Sequence, residues 1–200
     1  EEAKKKALEE AEASKLKEEA AAAASLSELL ASHSSKMSHM NSLRAAVSDL
    51  PSTRSSFKAS CASKSIKSDL KKSTSLLSKL RELPSHPASS SPPDVTRLNL
   101  TRYVSEVVSA LLNPALKAAH ASVTADISAQ MHARYEDFLP ELAPRLLDLA
   151  VGKDKDTTTK TRRYAAAAYQ YLYLSGLGEP SKVRKIWDKV SGYKAASPSV

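Results

Sequence analysis

A group of basic residues in the last third of the chain has side chains suited to phosphate chemistry. Lysine and arginine form charge-assisted hydrogen bonds with phosphate oxygens, and aromatic rings stack on nucleic-acid bases. Because Tyr164 and Tyr169 lie close to the group, the pattern predicts RNA contacts without sequence specificity. Asp154 and Asp156 interrupt the basic run, and the alternative interpretation is a solvated loop that leads into a helix. The predicted RNA-binding residues are Lys153, Lys155, Lys160, Arg162 and Arg163.

The residue types needed for catalysis or metal binding do not occur at useful spacings. The five histidines are scattered along the sequence and form no recognisable metal-ligand motif, so we expect exposed histidines and no metal site. The four glycines are isolated or lie at helix ends, which excludes a glycine-rich phosphate loop. One cysteine, Cys61, excludes a disulfide framework. We therefore predict no catalytic residue, no cofactor and no enzyme activity. The histidines are His33, His39, His86, His120 and His132.

Composition and charge favour an all-α chain with two different halves. Aromatic residues make up 5% of the sequence, whereas strands favour β-branched and aromatic runs. Residues 25–91 hold ten Lys and Arg against four Asp and Glu, and this basic stretch contributes most of the net charge of +8. A basic segment favours an anionic partner, although charges also simply solvate a linker. The composition, rich in Lys, Ala, Ser and Pro, also fits an alternative function as a nonspecific nucleic-acid-binding protein of the chromatin type.

Four segments follow from the sequence pattern. Residues 1–31 are rich in Glu, Lys and Ala and predict a charged helix, with too few large apolar residues for a coiled-coil seam. Residues 32–63 are rich in serine, and we expect disorder apart from a short helix that stops before Pro51. Residues 64–93 predict a basic amphipathic helix followed by a linker of Pro and Ser. Residues 94–200 predict a partial domain of helical repeats.

The last segment has apolar residues at helical spacing in four stretches. The first is predicted from Leu100 to a stop near Pro114, and the second begins at Ser122 as its N-cap. Pro140 and Pro144 should kink or divide that second helix. The third and fourth are predicted at about 159–175 and 181–193. Short connections between four helices favour antiparallel helix pairs of a HEAT-like solenoid or a bundle.

Two strings in this segment carry a resemblance to a known family. The string LNLTRYVSEVVSALLNPALK at 98–117 and the string MHARYEDFLPEL at 131–142 are similar to the first middle domain of the up-frameshift factor two family. Members of this family are scaffolds of nonsense-mediated mRNA decay. The resemblance extends more loosely over residues 64–192. The motif residues, for which we expect a structural role, are Leu100, Tyr103, His132, Arg134, Tyr135, Asp137, Phe138 and Pro140.

The resemblance implies a HEAT-like middle domain of the initiation factor 4G type that acts as a non-catalytic scaffold. It implies other mRNA-decay factors and exon-junction-linked proteins as partners, with RNA as a further candidate, and neither a membrane nor a small-molecule substrate. It also implies a cytoplasmic or perinuclear location. In the family the main binding regions lie in later domains, so we expect this chain to be a fragment of a longer scaffold. Within the motif, Tyr135 and Phe138 should pack the core while Arg134 and Asp137 pair locally.

Overall fold

The structure is a computed structural model that describes most of the chain. The described residues are 2–63, 65–66, 69–87, 91–152, 156–178 and 181. They form an all-α, HEAT-like arrangement, and no β-strand occurs in these ranges. The helices are α1 (Glu2–Ala46), α2 (Leu50–Ala62), α3 (Leu70–Arg81), α4 (Val104–Leu111), α5 (Ala121–His132), α6 (Phe138–Val151) and α7 (Thr159–Leu174).

The chain divides into two compact units, residues 1–41 and residues 42–200. The first unit is helical where the structure describes it, and several of its leucines are exposed. Leu16 is 67% exposed and Leu29 is 66% exposed. Lysines and glutamates flank Leu16 in the sequence, as expected for a charged helix that faces solvent.

The second unit has a continuous apolar core. Helix α7 packs against α5 and α6, and α4 packs against α3 and α6. Tyr164 on α7 is fully buried, and its hydroxyl donates a hydrogen bond to the carbonyl of Leu111 at 2.5 Å. Burial raises the pKa of this phenol, so it stays protonated as a donor. The largest fully buried side chains include Phe138, Leu80, Leu100, Leu111, Leu116, Ile127 and Met131.

Helix α1 continues beyond the predicted end at residue 31 to Ala46, and α2 spans Leu50–Ala62, so residues 32–63 are mostly helical where disorder was expected. Asp49 is the N-cap and its carboxylate accepts a hydrogen bond from the amide of Ser52 at 3.2 Å. Pro51 lies in the first turn of α2. An amide hydrogen at that position would have no acceptor within the helix, so its absence in proline costs nothing. We expected Pro51 to stop a helix, whereas here it helps to begin one. The side chain of Phe57 is buried and fixes α2 to the core of the second unit.

Helix α3 begins later than the predicted start at residue 64. The carboxylate of Asp69 caps it by accepting from the amide of Lys72 at 3.0 Å. Of the apolar residues whose spacing predicted this helix, Leu77, Leu80 and Leu83 are buried, but Leu70 is 68% exposed. Leu76 was not among them and is also buried. The first turn of α3 therefore lies outside the apolar contact between α3 and the core of the second unit.

Helices α5 and α6 are separate, and the break between them precedes both prolines. Helix α5 begins at Ala121 after a short 3₁₀ turn, so Ser122 is not its N-cap. Pro140 is in the first turn of α6, where its missing amide hydrogen costs nothing, and Pro144 lies inside the same helix. The expectation that these prolines divide the helix is wrong. Gly152 ends α6 with a φ of 65°, in the left-handed region that favours glycine.

The third predicted helix of this segment corresponds closely to α7. Thr158 is its N-cap and its hydroxyl accepts from the amide of Thr161 at 3.2 Å. Gly176 follows the helix with a φ of 83°. The fourth predicted helix, at 181–193, lies outside the described residues except for its first position.

Candidate functional site

The two strings that resemble the family meet at one hydroxyl group. Tyr135 lies in the turn between α5 and α6, and its side chain is buried. Its hydroxyl oxygen accepts a hydrogen bond from the amide of Leu100 at 2.8 Å and donates one to the carbonyl of Leu98 at 3.3 Å. Burial raises the pKa of Tyr135, which keeps the donor proton in place. The segment before α4 is thus fixed to the turn between α5 and α6.

Helix α2 covers the same turn through an aromatic contact. The rings of Phe57 and Tyr135 are 5.1 Å apart between centroids and meet edge to face at 76°. Such pairs stabilise by about 0.5–1.5 kcal/mol beyond the area that they bury. Cys61 lies one helical turn beyond Phe57 and is partly buried against the core, which raises the pKa of its thiol.

Arg54 on α2 adds a polar contact to the end of α5. Its guanidinium donates to the carbonyl of His132 at 3.2 Å and lies 3.9 Å from the carboxylate of Glu136. A cation at the C-terminal carbonyls of a helix interacts favourably with the helix dipole. Burial lowers the pKa of the half-buried His132, and the positive charge of Arg54 lowers it further. We call Arg54, Phe57, Leu98, Leu100, His132 and Tyr135 the Tyr135 junction.

The remaining motif residues differ in their exposure to solvent. Phe138 and Leu100 are fully buried, and Tyr103 is half-buried. Arg134 donates to the carbonyl of Gln130 at 3.2 Å instead of pairing with Asp137, so the expected local ion pair is wrong. Asp137 and Pro140 are exposed at the start of α6.

One histidine that was expected to be exposed is buried. The Nδ1 of His120 accepts from the amide of Lys117 at 3.1 Å, and its Nε2 lies 3.2 Å from the carbonyl of His86. Because Nδ1 accepts from an amide, Nε2 is the ring nitrogen that can donate to the carbonyl of His86. His120 therefore connects the turn before α5 to the chain that follows α3, and sequence spacing gave no sign of it.

The predicted RNA-binding residues are not one uniform surface. Lys153 and Lys155 lie outside the described residues. Lys160 and Arg163 are exposed, whereas Arg162 is half-buried with its guanidinium against Gly152. A Cβ atom placed at Gly152 would come within 2.4 Å of the Arg162 Cζ atom.

The aromatic part of that prediction is wrong. Tyr164 is 0% exposed and Tyr169 is 3% exposed, so neither ring is available to stack on a base. Among the described cations of the predicted RNA-binding group, Lys160 and Arg163 are therefore the exposed ones.

In the ranges that the structure covers, no three His, Cys, Asp or Glu side chains are grouped so that they could hold a metal ion. Within the same ranges, no helix has both the length and the apolar character needed to cross a membrane.

The chain is similar to two curated proteins over part of its length. It is 33% identical over 75 residues to the mouse protein regulator of nonsense transcripts 2. This aligned stretch covers 38% of this chain and 6% of the mouse protein. It is 26% identical over 128 residues to the Arabidopsis thaliana protein regulator of nonsense transcripts UPF2. This second aligned stretch covers 60% of this chain and 11% of the plant protein. The matched part of the chain thus spans about a tenth or less of the length of these relatives. No protein-family model and no solved structure matches the chain.

Proposed function

We propose that this chain acts as a non-catalytic scaffold in nonsense-mediated mRNA decay. The observation that carries the proposal is the similarity of part of the chain to two regulators of nonsense transcripts from an animal and a plant. The all-α, HEAT-like arrangement suits the same role, because helical repeats present extended surfaces to partners.

The Tyr135 junction supports the proposal from a second direction. The two strings that resemble the family are more than 30 positions apart, and the hydroxyl of Tyr135 joins them through Leu98 and Leu100. The motif residues at this junction hold the segment before α4 to the turn between α5 and α6. Partners in this proposal are other mRNA-decay factors and exon-junction-linked proteins, which bind in the cytoplasm or near the nucleus.

The proposal is tested with paired reporter transcripts in the cells that produce the protein. Depletion of the protein should lengthen the half-life of a transcript with a premature stop codon and leave the matched normal transcript unchanged. Wild-type protein should restore the short half-life. Equal half-lives for the premature-stop transcript with and without the protein would overturn the proposal.

Affinity purification from the same cells distinguishes the alternative function. A decay scaffold should recover other mRNA-decay factors after nuclease treatment. A chromatin-type protein should recover bulk nucleic acid and lose its partners when the nucleic acid is digested. The second outcome would also contradict the scaffold proposal.

A further inference from the structure

Helix α3 has one buried side and one strongly basic side. Ser73, Leu76, Leu77 and Leu80 are buried, and the helix packs against α4. The opposite side is exposed and carries three lysines and a serine within a narrow arc. We call these four residues the α3 lysine face: Lys71, Lys72, Ser75 and Lys79.

The spacing of these residues places their charges on one line. Lys71, Ser75 and Lys79 follow each other at intervals of four residues, and Lys72 precedes Lys79 by seven. Residues at these intervals lie on the same side of a helix. From Lys71 to Lys79 the line is roughly 12 Å long along the helix axis. Three ammonium groups thus follow one edge of the second unit.

Nearby carboxylates leave this charge largely uncompensated. Asp69 is the N-cap of α3, and its second oxygen lies 3.9 Å from the Lys72 ammonium, whose side chain is 74% exposed. Glu82 accepts a hydrogen bond from the hydroxyl of Ser78 at 3.1 Å. An exposed ion pair such as Asp69–Lys72 contributes about 0–1 kcal/mol, so an anionic ligand displaces it at little cost.

The chemistry of the face determines which polyanion it suits. Lysine is a flexible point charge that neutralises phosphates without reading bases, and the α3 lysine face includes no aromatic ring for stacking. The second unit as a whole is basic, since residues 42–200 hold 24 Lys and Arg against 14 Asp and Glu. Around the start of α7, by contrast, Arg162 packs against Gly152 and two described cations remain exposed.

We infer that the α3 lysine face binds the phosphate backbone of single-stranded RNA without sequence specificity. The choice of RNA over an acidic protein rests on the proposed function, and charge complementarity is the physical basis of the contact. Binding releases counterions from the RNA, so its affinity falls linearly with salt concentration on a double-logarithmic scale.

The inference is tested by fluorescence anisotropy with a short poly-uridine RNA across a salt series. The wild-type chain should bind, and the triple variant K71Q/K72Q/K79Q should bind more weakly at every salt concentration. For single strands, each lost phosphate contact makes the slope of log affinity against log salt concentration shallower by about 0.7. The slope of the triple variant should therefore be shallower by about 2. Poly-adenosine RNA should give the same pattern, because no base is read.

A matched triple variant provides the control. K15Q/K17Q/K36Q removes the same charge from exposed lysines of the first unit and should leave the slope close to that of the wild type. Circular dichroism of both variants should be unchanged, since all six lysines are exposed.

Four results would overturn the inference. These are no RNA binding by the wild type, an unchanged slope in K71Q/K72Q/K79Q, an equal loss in the control variant, and binding of a poly-glutamate peptide in place of RNA. None of these alters the half-life of a premature-stop transcript, so failure of this inference is distinguishable from failure of the proposed function.

Discussion

At the Tyr135 junction the tyrosine hydroxyl is buried and has two main-chain partners, whereas on the α3 lysine face the side chains are exposed and Lys72 makes only a long ion pair of 3.9 Å with Asp69. The hydroxyl of Tyr135 joins two main-chain groups of another segment, and its ring packs against Phe57. Lys71 and Lys79 are exposed on a helix whose other side is buried. Several residues of the family-like motif are therefore packed in the fold, whereas the binding proposed for the α3 lysine face would use exposed residues outside that motif.

The largest expected effect comes from the core beside the junction. Phe138 is 0% exposed, so Phe138→Ala should lower the free energy of unfolding of the second unit by about 3–5 kcal/mol. Leu70→Ala is the matched control, because Leu70 is 68% exposed and should cost less than about 0.5 kcal/mol. Urea unfolding followed by circular dichroism measures both. Similar losses in the two variants would remove the distinction between the core and the α3 surface.

Removal of the Tyr135 hydroxyl should have a smaller effect. Tyr135→Phe leaves the amide of Leu100 buried without its acceptor, which costs about 1–3 kcal/mol. Tyr103→Phe is the control, since Tyr103 is only half-buried in the same motif. Urea unfolding measures the free energy of unfolding of both variants. A larger loss for Tyr103→Phe than for Tyr135→Phe would contradict the role of the Tyr135 hydroxyl.

Gly152 tests whether Arg162 belongs to the interior or to a binding surface. Gly152→Ala places a Cβ atom in the left-handed region, which costs about 1–2 kcal/mol, and also displaces the Arg162 guanidinium. Gly176→Ala has the same backbone strain but meets nothing within 4 Å. The thermal midpoint should therefore fall further for Gly152→Ala. Equal midpoints would mean that Arg162 moves away freely.

The pH dependence of stability should show a modest contribution from His132. Burial and Arg54 hold its pKa in the folded chain below the ordinary value of 6.5. As pH falls below that value, the unfolded chain takes up a proton before the folded chain does, so stability is lost. His132→Gln should therefore lose less stability between about pH 7 and pH 5 than the wild type. The exposed His86→Gln variant is the control, and an identical profile for all three proteins would contradict the lowered pKa of His132 in the folded chain.

The smallest effect is expected on the α3 lysine face. K71Q/K72Q/K79Q should change the free energy of unfolding by less than about 0.5 kcal/mol, because exposed charges contribute little to stability. Urea unfolding tests this next to the RNA titration. A loss as large as that of Tyr135→Phe would show that these lysines hold the fold, and the contrast between the two regions would disappear.

Local chemistry made part of the fold predictable. The apolar spacing of α7, together with the polar loop before it and Gly176 after its end, gave bounds close to those observed. The burial of Leu77 and Leu80 followed from their spacing on α3. Helix α2 was missed because Pro51 looked like a stop, although Asp49 before it is a good N-cap. An aspartate two positions before a proline was the signal that could have revealed this helix.

Long-range contacts could not be read from periodicity. The spacing of Tyr135 indicated burial, but nothing local indicates that its hydroxyl reaches Leu98 and Leu100. The same holds for His120, which contacts the carbonyl of His86. The basic residues around α7 were predicted as one group from their order in the sequence. Only the fold separates the packed Arg162 from the exposed Lys160 and Arg163.

Hydrogen–deuterium exchange at the amide of Leu100 is the most direct test of the Tyr135 junction. This amide should exchange slowly in the wild type, because it donates to the buried hydroxyl of Tyr135. In Tyr135→Phe the same amide should exchange much faster, while the amides of α7 around Leu172 keep their protection. Fast exchange of Leu100 in the wild type, or a rate unchanged by the substitution, would contradict the junction between the two motif strings.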